Sequence, residues 1–505
     1  MPSLDTLSVT VGVVGAIVVL LAIGGVQSLL DTLGWRVEKR RLFATLKARE
    51  KAAAPRTSIS DDKDDGHLTS DAKAPPALYL RTIELTNIRC FRSLKIEFAR
   101  EETFYLRTTI LGDNALGKST LLRAIGIALS NETDAAALMK SMSGPLIRSG
   151  EVEATIYALL IEDQSGARFE IKKTITIETD GSEKLKQVTV PETIFPWSSV
   201  FVCGYGTQRT AAANESFDAY STRLAVATLF DSRAFLQNPE LVLLRQNPAL
   251  KRHLVRKLLD VMLLDPATHS VEESSAGLRL RGPLGSVPFN ALSDGYRSTT
   301  QWFLDLFAWL ILTKRIPARE EPAGILVLDE IEQHLHPRWQ RHVIQQLSAK
   351  LPRMQIIATT HTPLVASGMA DVQAGALLRL LKGDGDEPKV DVVDTTLLHG
   401  MRADQVLTEF FDLTTSRNPG SNEDLDRYVQ LRSAKSLKPD EKSELEALAK
   451  KMQPGLQSGE TEFERTVDRA VSDTLDNLLS KEPAVPLDLE TKRKLRELFR
   501  GDQPQ

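Results

Sequence analysis

Apolar and polar positions divide this chain into stretches of different kinds. Residues 11–26 carry no charge and are almost wholly apolar. With Leu29 and Leu30 beyond it, the run approaches the ~20 residues that cross a bilayer as a helix. Residues 1–10 hold Asp5 and no basic residue, whereas Arg36, Lys39, Arg40, Arg41, Lys47 and Arg49 follow the run. A signal peptide carries its positive charge in front, so this order favours a membrane anchor; a buried or peripheral helix is the alternative. The positive-inside rule places the C-terminal side in the cytoplasm, with Trp35 at the interface. Residues 1–35 are therefore expected to anchor a single-pass protein in the cell membrane. Residues 36–77 read as a basic helix and then a flexible linker, where Pro55, Pro75 and Pro76 frame a Ser/Asp/Lys-rich run.

From residue 78 the patterns become those of a folded α/β domain. Strands are expected at 80–86 and 94–98. Apolar and polar residues alternate over 152–161 and 168–179, with Asp180-Gly181 as a turn, which predicts an antiparallel β layer. Ile325-Leu326-Val327-Leu328 reads as a short buried parallel strand, and residues 355–358 and 199–203 read as short buried strands. Residues 217–264 look helical, with breaks at Asn238-Pro239 and Asn247-Pro248. Residues 278–288 suggest a hairpin, 299–313 a strongly apolar helix, and 377–381 with 389–393 a hairpin around Gly383-Asp384-Gly385-Asp386. Asp384 and Asp386 then fall in a turn. The expected domain covers 78–400, with a helical lobe at about 211–300, followed by a charged helical extension over 401–505.

Composition adds little. The chain has 505 residues, 42% hydrophobic and 26% charged, with a net charge of -4, so it lacks the global basic signature of a nucleic-acid binder. Its two cysteines, Cys90 and Cys203, belong to no C-x-x-C pair and read as reduced, buried thiols.

The chemistry is concentrated in five places. Gly112-Asp113-Asn114-Ala115-Leu116-Gly117-Lys118-Ser119-Thr120 fits the G-x-x-x-x-G-K-[ST] spacing of a Walker A loop. The glycines let backbone N–H groups surround an anion, and a helix start points its dipole at it. Lys118 would reach the outer phosphates and Ser119 would ligate Mg²⁺. Asp329 and Glu330 follow a buried strand, where Asp329 can hold Mg²⁺ and Glu330 can polarise water. Leu292-Ser293-Asp294-Gly295 opens a long helix, offering a phosphate contact at Ser293 and Gly295. His361 ends a buried strand and is a candidate γ-phosphate contact. Gln208 could position water and Mg²⁺.

In this order the motifs resemble those of ABC-type ATPases. More narrowly, the chain is similar to RecF/SMC-related ATPases and to the AAA-family ATPases of OLD and Septu-type bacterial defence systems. Residues 83–94, with Asn87 and Arg92, resemble their opening hairpin, and Glu330-Ile331-Glu332-Gln333-His334-Leu335-His336-Pro337 runs into the D-loop position. The resemblance covers roughly 78–413. Ala115 replaces a frequent glycine, and Asp294-Gly295 replaces the transporter-type Gly-Gly pair. The resemblance implies an α/β P-loop ATPase head with a mixed sheet, an antiparallel layer and a helical lobe, using ATP and Mg²⁺. Two heads would pair head to tail. Lys118 and Ser119 of one would hold each ATP while Ser293 and Gly295 of the other cap it. Arg92 becomes a candidate nucleotide contact, and His334 and His336 become dimer contacts rather than metal ligands. The expected function is a membrane-tethered ATP hydrolase controlling a separate effector protein, such as a nuclease, in anti-phage defence. The alternatives are a DNA-binding clamp and an ATP-gated scaffold with little turnover.

Overall fold

The computed structural model describes residues 76–456, apart from 102, 193–194, 212–216, 275–276, 317–320, 384–386, 400, 412–422 and scattered positions between 425 and 437. The apolar run at 11–26, the linker, the Asp384/Asp386 turn and most of the 401–505 extension lie outside the described residues. Among the described residues no helix is long and apolar enough to cross a membrane. The chain divides into two units, residues 64–416 and residues 1–63 with 417–505.

The larger unit opens with β1 (Leu78–Ile88) and β2 (Phe91–Glu97), an antiparallel hairpin turning at Arg89 and Cys90. A short ribbon, β3 (Ala99–Arg100) and β4 (Thr103–Phe104), leads to β5 (Arg107–Gly112) and helix α1 (Lys118–Ala128). Helix α2 (Glu132–Ser141) follows, capped by the Asn131 side chain. Then come β6 (Glu153–Glu162), β7 (Arg168–Ile177) and β8 (Glu183–Val190). These join the first hairpin in an antiparallel sheet of order β2-β1-β6-β7-β8. The alternation over 152–179 is thus the inward and outward rhythm of β6 and β7. No strand is expected at β8, whose Glu-Lys-Leu-Lys-Gln-Val-Thr-Val run has only Leu185 and Thr189 buried.

The second sheet contains β5, β9 (Val202–Tyr205), β13 (Gly324–Leu328), β14 (Met354–Thr360), β15 (Gly375–Lys382) and β16 (Pro388–Val393). Its order is β16-β15-β5-β14-β13-β9. All neighbours are parallel except β15 and β16. Parallel strands buried on both faces need uninterrupted apolar sequence, which is why β13 reads Gly-Ile-Leu-Val-Leu with every residue buried. The register brings Leu111 opposite Thr360 and Leu328 opposite Ala358, so the strand ends carrying Gly112, Asp329 and His361 form one rim. Several buried polar residues lie in this sheet, among them Thr109, Thr359 and Gln355. Gln355 is fully buried, and its amide donates to Leu80 O (2.7 Å) and accepts from Leu80 N (2.8 Å), welding β14 to the antiparallel sheet.

The region at 211–300 is less helical than expected. It carries a three-stranded antiparallel sheet, β10 (Ser270–Ser274), β11 (Gly277–Gly282) and β12 (Gly285–Pro288), of which the sequence showed two strands as a hairpin. The two Asn-Pro pairs begin helices rather than break one. Asn238 and Asn247 accept hydrogen bonds from the first-turn N–H groups of Pro239–Leu244 and of α3 (Pro248–Val261), with proline at the N1 position. Helix α4 (Asp294–Leu312) is the apolar helix foreseen at 299–313. It is pinned to β9 through Asp305, which is fully buried and accepts from Tyr205 Oη, Trp309 Nε1 and Gln237 N, each at 2.9 Å. Burial pushes the Asp305 carboxyl up to about 6, against the pull of those three donors.

The smaller unit shows α5 (Pro439–Leu456), with Arg427 paired to Glu444 and Lys451 to Asp424. Of the two free cysteines, Cys203 is buried in β9 and Cys90 is only half-buried, a departure from the expectation of two buried thiols.

A second buried charge gives a stability prediction. Lys173 of β7 is fully buried and donates to Ser130 O and Gln187 Oε1, both at 2.6 Å. Burial pulls its pKa down to about 7, with Glu132 and Asp134 opposing. An unfolded lysine titrates near ~10.4, so between these values the unfolded chain binds more protons and stability rises with pH. Below pH 7 both states are protonated and the burial penalty is fully present. Melting temperature measured from pH 7 to 10 should rise less steeply in Lys173→Met than in the parent. Equal slopes would mean that another group carries the dependence.

Candidate active site

The loop after β5 is shaped by two residues with positive φ. Ala115 has φ +67° and Gly117 has φ +91°. An L-residue in that region costs roughly 1–2 kcal/mol, which explains why a glycine suits position 115. Gly117 cannot be replaced so easily, because a Cβ there would overlap Cys90 Sγ and lie 2.6 Å from Phe91 Cζ. It also stands at the N-cap of α1, where it has no side chain to satisfy the first N–H groups, and the first turn holds no acidic residue. The positive end of α1 is therefore unopposed, which is what an anion site requires.

Lys118 lies at the centre of this rim and is buried. Its Nζ donates to Gly112 O (2.6 Å) and Asp113 O (2.8 Å) and lies 3.3 Å from His361 Nδ1. His361 Nε2 in turn is 3.6 Å from Glu330 Oε1. The structure thus sets Lys118, His361 and Glu330 in a row. Burial lowers the Lys118 pKa, while Asp329, Glu330 and Asp113 act to raise it. Burial, then the Lys118 charge, lowers that of His361. A neutral imidazole that accepts from Lys118 at Nδ1 holds its proton on Nε2, facing Glu330.

Asp329 and Glu330 are held by the end of β14. The Thr359 hydroxyl donates to Asp329 Oδ1 (2.6 Å) and accepts from Glu330 N (2.8 Å), and Ile331 N donates to Thr359 O (3.1 Å). Glu330 itself sits at φ +46°, a strained position for a side chain of its size. From the other side Arg209 donates to Asp329 O (2.5 Å), Glu330 O (3.1 Å) and Gly206 O (2.9 Å). Arg209 is buried, and burial brings its pKa down to about 10 against the Asp329 charge. Sequence reasoning missed Arg209 and Thr359. The available signal was an arginine beside Gln208 at the end of a buried strand, and a threonine pair before His361.

The remaining candidates lie apart from Lys118. Gln208 is exposed and lines a cavity of about 380 Å³ with Asp294, Arg297, Gln333 and His334. Ser293 is the N-cap of α4, is exposed, and makes no side-chain cap bond. Gly295 is buried, and a Cβ there would come 2.5 Å from His334 O. Its contact is therefore with the D-loop turn of its own chain. Arg92 is largely exposed and pairs with Glu387 at 3.2 Å. His336 caps Pro337–Gln340 by accepting from Arg338 N (3.3 Å), while His334 stands exposed at φ +64°. No cluster of His, Cys, Asp and Glu suited to a metal occurs among the described residues.

The arrangement fits a magnesium nucleotide. Asp113, Asn114 and Ala115 are exposed, Leu116 is half-buried and Thr120 buried, and the first-turn N–H groups of α1 have no side-chain cap, which leaves them for phosphate. Ser119, half-buried on the first turn, and Asp329 would hold Mg²⁺, whose charge would draw electron density from the outer phosphate.

A family model described as "AAA domain, putative AbiEii toxin, Type IV TA system" matches residues 107–367. The Septu protein PtuA of Bacillus mycoides (strain KBAB4) is 25% identical over 396 residues, which is 78% of this chain and 53% of that protein. The chain therefore spans about half the length of this curated relative. The Retron Vc95 probable ATPase of Vibrio cholerae serotype O1 biovar El Tor is 35% identical over 85 residues, 16% of each chain. Among solved structures, an SmcHead bound to the C-winged helix domain of ScpA is similar at 15% identity and TM-score 0.40, over 64% of this chain and 100% of that one.

Proposed function

The chain belongs to the family described as "AAA domain, putative AbiEii toxin, Type IV TA system", and from that membership we propose that it is an ATPase of anti-phage defence. It binds and hydrolyses MgATP between two copies of itself and uses that cycle to control a separate effector protein. The observation that carries the reading is the row of Lys118, His361 and Glu330 at 3.3 and 3.6 Å. Lysine binds phosphate as a point charge, neutral histidine offers an Nε2 proton to a developing oxyanion, and Glu330 takes the proton of the attacking water. Pairing is supported by Ser293, whose hydroxyl is exposed and unused by its own helix. The defence context is supported by the similarity to a Septu protein and a retron ATPase. A membrane tether is supported by the uncharged run at 11–26 and the basic residues after it.

One experiment addresses the tether, the pairing and the effector. The chain and Lys118→Ala are expressed with an affinity tag, membranes are collected, and complexes are isolated with and without MgATP. The parent should fractionate with membranes, pair with a differently tagged copy only when ATP is present, and retain a second polypeptide. Lys118→Ala should lose the ATP-dependent pairing. If the variant pairs as well as the parent on adding ATP, the composite-site reading is wrong. If the parent stays out of the membrane fraction, the tether is wrong.

A further inference from the structure

Glu332 is the third carboxylate of Asp329-Glu330-Ile331-Glu332, and nothing above gives it a role. It is largely buried beside the row just described. Its Oε1 accepts the His361 backbone N–H at 2.5 Å. Its Oε2 is shut off from solvent and lacks a hydrogen bond of good geometry among the described residues. Burial raises its pKa, while the bond from His361 N and the nearby Thr360 side chain act the other way. A buried carboxylate with an unmatched oxygen is costly, and a neutral acceptor could take the same N–H bond with less desolvation. Two cations make the charge tolerable, since Glu332 acts on both Lys118 and Arg209 to favour their protonated forms.

The placement matters because of what His361 does. His361 is the first residue beyond β14, so the sheet ladder that fixes Thr360 stops just before it. Its main chain is instead held by Glu332, which is itself carried on the turn that bears Glu330. That turn is stitched to Thr359 through Glu330 N and Ile331 N. The clamp therefore closes a loop: the turn of Glu330 and Ile331 to Thr359, Thr359 along the chain to His361, and His361 back to the turn through Glu332.

We propose that Glu332 is a positioning residue for hydrolysis, clamping the His361 main chain so that the imidazole stays between Lys118 and Glu330. This rests on the ATPase reading above. Glu332 touches no reacting atom in this scheme and acts only through His361. Removing the clamp lets the imidazole drift out of the row without disturbing the phosphate cradle, so turnover suffers and nucleotide affinity does not.

The test uses the full chain with Glu332→Ala, Glu332→Gln, His361→Ala and the Glu332→Ala/His361→Ala pair. Glu332→Met replaces the alanine variant if that one fails to fold. Turnover and affinity for a fluorescent MgATP analogue are measured for each. Glu332→Ala should lower kcat by about tenfold or more with Kd changed less than about threefold, and Glu332→Gln, which keeps an acceptor oxygen, should recover most of the loss. In the His361→Ala background the same change should cost less than about twofold. An equal loss in both backgrounds overturns the proposal. A second arm needs no turnover. With imidazole nitrogens labelled, the histidine signal that disappears in His361→Ala should shift in nucleotide-free Glu332→Ala, and an unmoved signal overturns the proposal. If the parent hydrolyses no ATP, the ATPase reading falls on that result while the histidine signal still decides the positioning role.

Discussion

Glu330→Gln should lower the turnover of bound ATP by about 10²–10⁴-fold while leaving the nucleotide bound. The substitution keeps size and main-chain demands, since glutamine at φ +46° is strained as glutamate is there. It keeps the bond from Glu330 N to the Thr359 hydroxyl and the bond from Arg209 to the carbonyl, because neither uses the side chain. What disappears is a carboxylate 3.6 Å from His361 Nε2 that can accept a proton. The phosphate cradle at Gly117 and Lys118 is unchanged, so ATP should accumulate on the variant along with the paired form. Single-turnover assays with size-exclusion chromatography check this. Undiminished turnover, or a variant that releases ATP as fast as the parent releases ADP, would remove Glu330 from the chemistry.

Gly117→Ala should damage both stability and nucleotide binding with a single methyl. The added Cβ meets Cys90 Sγ and Phe91 Cζ, which belong to the first hairpin, and the backbone there is at φ +91°. Phe91 is among the largest fully buried side chains, so it has little space to retreat. Left-handed strain and overpacking each cost about 1–3 kcal/mol, and here they act together. Because the strain falls at the N-cap of α1, nucleotide affinity should fall with stability. Thermal melts with and without MgATP read both effects. The parent should gain stability on adding nucleotide, whereas the variant should melt earlier and gain almost nothing. Replacing the half-buried Cys90 with alanine should restore part of the loss by making room. A Gly117→Ala protein that melts and binds like the parent would show that the hairpin moves aside.

The sequence displayed the rim of the site more clearly than its supports. The Walker A loop, the Asp329-Glu330 pair and His361 were visible because each combines an apolar strand with a polar residue at its end, and parallel strands impose that pattern. Thr359 and Arg209 were not, because their work is done by a hydroxyl bonded to a carboxylate 30 residues away and a guanidinium bonded to main chain 120 residues away. No local pattern records such contacts. The misreadings have similar causes. β8 presents only two buried residues, so its alternation is too faint to separate from a polar loop. Asn-Pro looked like a stop, yet asparagine caps the following helix and proline fits its first turn. The glycine in Ser293-Asp294-Gly295 looked available for phosphate, but the His334 carbonyl from 39 residues on is packed against it.

That last contact ties two ends of the site together. Gly295 abuts His334 O, and the Tyr296 ring packs on Trp339 with centroids 5.1 Å apart. The start of α4 and the turn that runs from Glu330 to His334 therefore behave as a single cog. In a reciprocal pair, one edge of the cog would touch its own nucleotide through Glu330, and the other would touch the neighbour's through Ser293. Neither pocket could then fire in isolation: tightening around one ATP would nudge the other, with a tooth no wider than a glycine setting how strongly the two beats are synchronised.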